Sequence, residues 1–258
     1  MRLHTETTGA GPDLVLLHGW GMNGAVWETV AESLSADYRV TIIELPGHGH
    51  SPFAGGLDSL RDWARACLSA APDRAVWIGW SLGGQIAVQA ALLSPRRISG
   101  LVPVAASPCF VQADGWPHAV ARGTLAGFAA TLRDDPRTTL ERFLALQVRG
   151  SAEARPTLRR LRQDLSDRPD PDPAALDRGL ELLRETDLRD RLAGLQCPSL
   201  WLLGQRDTLV PAGVAEDIER LLPAARIRVI PGAGHAPFLS HGRESLAALA
   251  AFLEQRRD

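Results

Sequence analysis

The sequence predicts an α/β fold: a mostly parallel, doubly wound sheet with helices on both faces, interrupted once by an all-helical insertion. Three observations predict it. Short apolar runs recur along the chain and are nearly continuous rather than alternating, as strands covered on both faces read. Helix-like stretches separate those runs, the pattern of crossover units in a parallel sheet. Between residues 111 and 186 no β-like run appears, and strands resume afterwards. Residues 1–110 and 187–258 therefore read as the sheet core, and 111–186 as a helical cap, or lid.

The elements follow in order. Strands are expected at 13–18 (DLVLLH), 38–44 (YRVTIIE), 75–79 (AVWIG), 100–106 (GLVPVAA), 199–204 (SLWLLG) and 226–230 (RIRVI). Core helices are expected near 25–35, 59–71, 84–94, 212–222 and 242–256. In the insertion, helical patterns run at 117–132, 136–149, 153–166 and 173–185, with DRPDPDP as a spacer before the last.

The composition narrows the function. At 258 residues with 45% hydrophobic and 22% charged side chains, the chain can build its own core without a metal or disulfide staple. A net charge of -2 offers no global field for nucleic acid or an anionic membrane. All 28 basic residues are arginine, which excludes a lysine Schiff base, a P-loop lysine and a Ser-Lys dyad. Three cysteines without CxxC or metal-ligand spacing suit a reducing compartment. The opening MRLHTETTGAGPD lacks the apolar stretch of a secretory leader, and no apolar run reaches membrane-spanning length. A cytoplasmic protein and a monomer are the expectations.

GWSLG (79–83) sits where a buried strand meets a helix. It fits G-x-S-x-G, a bend that lifts a serine hydroxyl above the sheet edge. Gly79, Gly83 and Gly84 suit a close approach of strand and helix, and the helix N-terminus favours developing negative charge. A plain helix-capping serine would also fit this place. A nucleophilic Ser81 needs a base, and His235 offers one in the glycine-rich loop PGAGH after the last strand. His241 competes but falls at a helix start, and His18, His48 and His50 lie in other loops at the same sheet edge. Asp207, just past the strand at 199–204, supplies the carboxylate that orients an imidazole. Two backbone donors are expected for an oxyanion: the N–H of Leu82 and that of Trp20 in HGWG (18–21). ELPGHGHS (44–51) lacks the spacing of a phosphate loop and reads as loop-shaping.

HGWG, PGHGHS, GWSLGG, a G-x-x-D and a terminal G-x-G-H together resemble the α/β-hydrolase superfamily across nearly the whole chain. LLHGWGMNGAVW, WIGWSLGG, ASPCF, ERFLALQ and HAPFLSH further resemble the pimeloyl-acyl-carrier-protein methyl ester esterases of biotin synthesis. That resemblance implies a serine carboxylesterase needing no metal or organic cofactor. Ser81, Asp207 and His235 match its catalytic positions, and Trp20, Ser81, Phe143 and His235 its substrate contacts. The implied substrate hangs on an acyl carrier protein. From Pro136 to Gln163 the insertion holds Arg137, Arg142, Arg149, Arg155, Arg159, Arg160 and Arg162 against Glu141 and Glu153. Such a basic face could seat an acidic carrier, with Arg137, Arg142, Arg155 and Arg159 as candidate docking residues, or be an ordinary solvated helix surface. A general short-chain esterase, a carbon–carbon bond hydrolase and a non-catalytic ligand-binding protein remain open on the residues alone.

Overall fold

The computed structural model describes residues 2–132 and 134–256. The strands are β1 (Thr5–Thr8), β2 (Asp13–Leu17), β3 (Arg39–Ile43), β4 (Ala75–Trp80), β5 (Ile98–Val104), β6 (Leu200–Gly204) and β7 (Arg226–Ile230). Among the described residues they form one sheet in the order β1-β3-β2-β4-β5-β6-β7. β1 runs antiparallel to β3, and every other neighbouring pair is parallel.

Period-two alternation splits the core into two layers. Leu14 and Leu16 of β2 pack with Val30 and Leu34 of α1 (Glu28–Leu34) and with Leu249 and Phe252 of α10 (Gly242–Leu253). Val15 and Leu17 face the other way. They join Leu60 and Trp63 of α2 (Leu60–Ala70), Ile86 of α3 (Leu82–Leu93) and Ile218 of α8 (Val214–Leu221). Each large apolar side chain buried this way contributes about 1.5–3 kcal/mol. The sequence reading missed β1. Its TETT is polar and four residues long, and it becomes a strand because β3 offers it an edge, with Thr7 and Thr41 hydroxyls 3.2 Å apart.

Among the described residues four α-helices run between β5 and β6: α4 (Arg122–Leu132), α5 (Pro136–Gln147), α6 (Ala154–Ser166) and α7 (Pro173–Glu185). The sequence sets two of their starts. Asp135 accepts the Thr138 N–H with Pro136 at the first helical position, and Asp172 accepts the Ala174 N–H ahead of Pro173. This stretch rests on the loops at the carboxyl ends of the strands. The Asn23 side chain donates to the Asp164 carbonyl at 2.9 Å, and the Asp172 N–H to the Gly47 carbonyl at 2.8 Å. Arg168 pairs with Glu6 at 2.9 Å and Glu28 at 3.3 Å. Among the described residues no helix is long and apolar enough to cross a membrane.

Candidate active site

Ser81 follows β4 directly and occupies the N-cap position of α3, with φ 55° and ψ -118°. A non-glycine residue at positive φ costs free energy, so the surroundings must hold the bend. They do: the Ser81 N–H donates to Val104 at 2.9 Å, and its carbonyl accepts from Gly84 and Gln85. The elbow leaves no room for side chains beside it. A Cβ at Gly83 would stand 2.6 Å from the Leu17 carbonyl oxygen, and one at Gly79 2.7 Å from the Gly84 nitrogen.

Three strand ends bring the expected polar groups together. The Ser81 hydroxyl lies 2.9 Å from His235 Nε2, and His235 Nδ1 lies 2.7 Å from Asp207 Oδ2. Asp207 Oδ1 is occupied by the N–H groups of Leu209 and Val210 at 2.8 and 2.9 Å. An ionised carboxylate beside Nδ1 makes that nitrogen the donor, which leaves Nε2 as acceptor for the serine proton. The three side chains belong to residues only 3%, 1% and 6% exposed, so water screens them little. His241 is elsewhere, its Nδ1 2.9 Å from the Ser240 hydroxyl.

The loop after β2 lies beside the elbow. Among the described residues, neither the Trp20 N–H nor the Leu82 N–H has a hydrogen-bond acceptor within the chain. Two buried histidines shape this loop, a role that the sequence left undefined. His18 donates from Nδ1 to the Gly19 carbonyl and accepts the Leu45 N–H at Nε2. His48 donates from Nδ1 to the Pro46 carbonyl and accepts the Gly21 N–H at Nε2. Each ring is satisfied as the neutral form. Burial, aided for His18 by the neighbouring His48, pushes its pKa well below the usual imidazole value, and burial takes His48 down to about 4. Glu44 completes the support by accepting the N–H groups of Gly24 and His50.

The Trp20 indole is fully buried and donates to the Leu176 carbonyl at 2.8 Å. Phe143 meets it edge-on at 4.7 Å and touches Phe128 at 5.6 Å. Gly179 of α7 must be small, because a Cβ there would stand 2.8 Å from the Trp20 ring. Leu140 and Leu176 cover Gly21. They also line a cavity of about 510 Å³ whose outer wall carries Arg137, Glu141 and Arg162. Trp80 does not share this layer with Trp20. It lies instead in the opposite core layer, beneath His235, with its ring edge against Phe238. Period-two alternation along β4 sends it there.

Arg137 and Arg142 stand exposed on α5, and Arg155 and Arg159 exposed on α6. Among the described residues none of these four forms a close ion pair, Arg137 and Arg142 acting on Asp135 only at longer range, whereas Arg162 is paired with Glu141 and Arg160 with Asp164. The cysteines are free, and burial raises the thiol pKa of Cys67 to about 12 and that of Cys197 to about 11.

Fold and site define a class first: residues 12–242 match the model of the alpha/beta hydrolase fold family, to which the chain belongs. An esterase from Exiguobacterium antarcticum superposes with a TM-score of 0.87 over 98% of this chain and 95% of its own, at 23% identity, a likeness of fold alone. Two curated relatives are both named pimeloyl-acyl-carrier-protein methyl ester esterase. The one from Edwardsiella ictaluri is 48% identical over 98% of each chain. The one from Aeromonas hydrophila is 45% identical over 98% of this chain and all of its own. At that identity and coverage the chain belongs to the family of these esterases.

Proposed function

We propose that this protein is a serine carboxylesterase that hydrolyses the methyl ester of a pimeloyl group carried on acyl carrier protein, releasing methanol and freeing the ω-carboxylate for biotin synthesis. The observation that carries the reading is the unbroken Ser81–His235–Asp207 hydrogen-bond chain in a member of this esterase family.

Ser81 Oγ attacks the ester carbonyl carbon while its proton passes to His235 Nε2. Asp207 stabilises the imidazolium through Nδ1–H and keeps the ring in place. The carbonyl oxygen, now an anion, is received by the N–H groups of Leu82 and Trp20, each such donor being worth about 10²–10³-fold in rate. Collapse of the tetrahedral species breaks the C–O bond to methoxide, which takes the proton from His235 and leaves as methanol. A water then gives its proton to His235 and attacks the acyl-enzyme, and the returning proton restores Ser81.

The closed position of Ser81 supports reading 111–186 as a cap that must shift for an acyl chain to enter. Trp20 and Phe143 then wall the acyl chain. The unpaired Arg137, Arg142, Arg155 and Arg159 support a cap face that seats the acidic carrier. The free cysteines support a cytoplasmic setting, and a relay supplied wholly by one chain supports action as a monomer.

A serine-directed phosphonate tests the chemistry. It should attach to Ser81, identified by peptide mass, and abolish ester hydrolysis in proportion. Full activity after complete reaction, or attachment elsewhere, overturns the reading.

A further inference from the structure

His235 stands on a loop, yet its ring must match a serine on another element to within a fraction of an ångström. Its main chain is held from both sides. The His235 N–H donates to the carbonyl of Gln147, the last residue of α5, at 3.0 Å. Its carbonyl accepts from the Trp80 indole Nε1 at 2.7 Å, at the short end of the range for such bonds. Trp80 directly precedes Ser81, so the strand end that presents the hydroxyl also grips the residue that presents the imidazole.

The two holds differ in kind. The Gln147 bond comes from the inserted helices, and the same turn is stitched to the neighbouring loops twice more. The Ala152 N–H donates to Gly232 at 3.2 Å, and Arg206 Nη1 to the Gly150 carbonyl at 3.4 Å. Any displacement of the α5–α6 turn therefore pulls on the His235 N–H. The Trp80 bond comes from the sheet and stays when those helices move.

We propose that Trp80 is a positioning residue for His235: its indole N–H fixes the His235 carbonyl and thereby keeps Nε2 in reach of the Ser81 hydroxyl while the helical insertion opens and closes. This rests on Ser81 and His235 being nucleophile and base. Bulk alone does not account for Trp80, and the fold supplies its own control. Trp27 is equally buried and stacks on the same Phe238 at 4.2 Å, against 5.3 Å for Trp80, but among the described residues its indole N–H has no partner. Trp27 contributes packing, whereas Trp80 contributes packing and a bond to the loop.

Trp80→Phe and Trp27→Phe, with Ser81→Ala beside them, separate the two contributions. The assays are p-nitrophenyl butyrate hydrolysis and the downfield proton resonance of the His235 Nδ1–H. A misplacement near 1 Å costs about 10²-fold, so Trp80→Phe should lower kcat by about tenfold or more, leave KM within about twofold, and broaden the resonance. Trp27→Phe should keep kcat within about twofold and leave the resonance sharp, whatever it does to Tm. If Trp80→Phe fails to fold, benzothienylalanine at position 80, which keeps the ring shape but lacks the N–H, should give the same loss of kcat. Wild-type kcat and resonance without that N–H, or equal losses in Trp27→Phe, overturn the proposal. Retained turnover in Ser81→Ala overturns the relay itself. Its loss there, with wild-type behaviour in Trp80→Phe, overturns only the Trp80 assignment.

Discussion

In Asp207→Asn the new amide has one way to sit. Asp207 Oδ1 receives the N–H groups of Leu209 and Val210 at 2.8 and 2.9 Å, and the whole group is buried. Those donors need an oxygen, so the amide oxygen stays with them; the reverse orientation would leave buried donors facing an NH₂, at about 1–3 kcal/mol each. The NH₂ group is therefore placed where Oδ2 now stands, 2.7 Å from His235 Nδ1. A donor there forces Nδ1 to accept, and the imidazole proton moves to Nε2. Nε2–H then donates to the Ser81 hydroxyl instead of taking its proton. Packing is kept and the base is lost, which costs about 10⁴-fold in kcat, or about 5.5 kcal/mol of barrier. Steady-state hydrolysis of p-nitrophenyl butyrate, with Tm measured in parallel, checks this. A loss below about tenfold at wild-type Tm would refute the tautomer assignment.

Four further outcomes follow from particular contacts. Gly83→Ala sets a methyl against the Leu17 backbone carbonyl, which cannot move aside, so stability should fall by about 3 kcal/mol or more in urea unfolding, and an unchanged midpoint would contradict this. Arg155→Glu with Arg159→Glu should raise KM for the carrier-bound ester by about tenfold or more and leave p-nitrophenyl butyrate unaffected, equal losses on both substrates being the contrary result. His48, held neutral by burial with a pKa of about 4, contributes stability that is present above the unfolded value of 6.5 and lost as pH falls through about 4; roughly 3 kcal/mol should disappear over that range, and His48→Gln should flatten the slope. Asp164 acts oppositely. Burial, partly offset by Arg160, raises its carboxyl pKa from 3.8 to about 6, so its contribution is present below 3.8 and lost as pH rises through about 6. Asp164→Asn should then gain up to roughly 3 kcal/mol at neutral pH, and a loss there would show that the charged pair with Arg160 outweighs the burial.

What the sequence made legible has a physical basis. Buried parallel strands are written as continuous apolar runs, and six of the seven strands were found within about two residues. G-x-S-x-G was readable because steric exclusion at a tight elbow forces glycine at fixed offsets. β1 was illegible because a four-residue polar edge strand is decided by its partner and not by its own pattern. The short α9 helix (Pro237–Ser240) was missed for a similar reason: it is one turn long and exists to seat Phe238 against Trp27 and Trp80. The neutral pair His18 and His48 and the buried Glu44 were invisible because their partners are backbone groups, which no residue pattern records. The place of Trp80 was illegible without a third dimension. Its partner is 155 residues away, and only the two-layer sheet reveals which way it points.

The most direct measurement is methanol release from pimeloyl-acyl-carrier-protein methyl ester by the wild-type protein and by Ser81→Ala, with p-nitrophenyl butyrate as the comparison substrate. The account predicts strong turnover of the carrier-bound ester, abolished by removal of the Ser81 hydroxyl. Turnover of the small ester alone would contradict the proposed substrate, and undiminished methanol release by Ser81→Ala would contradict the mechanism.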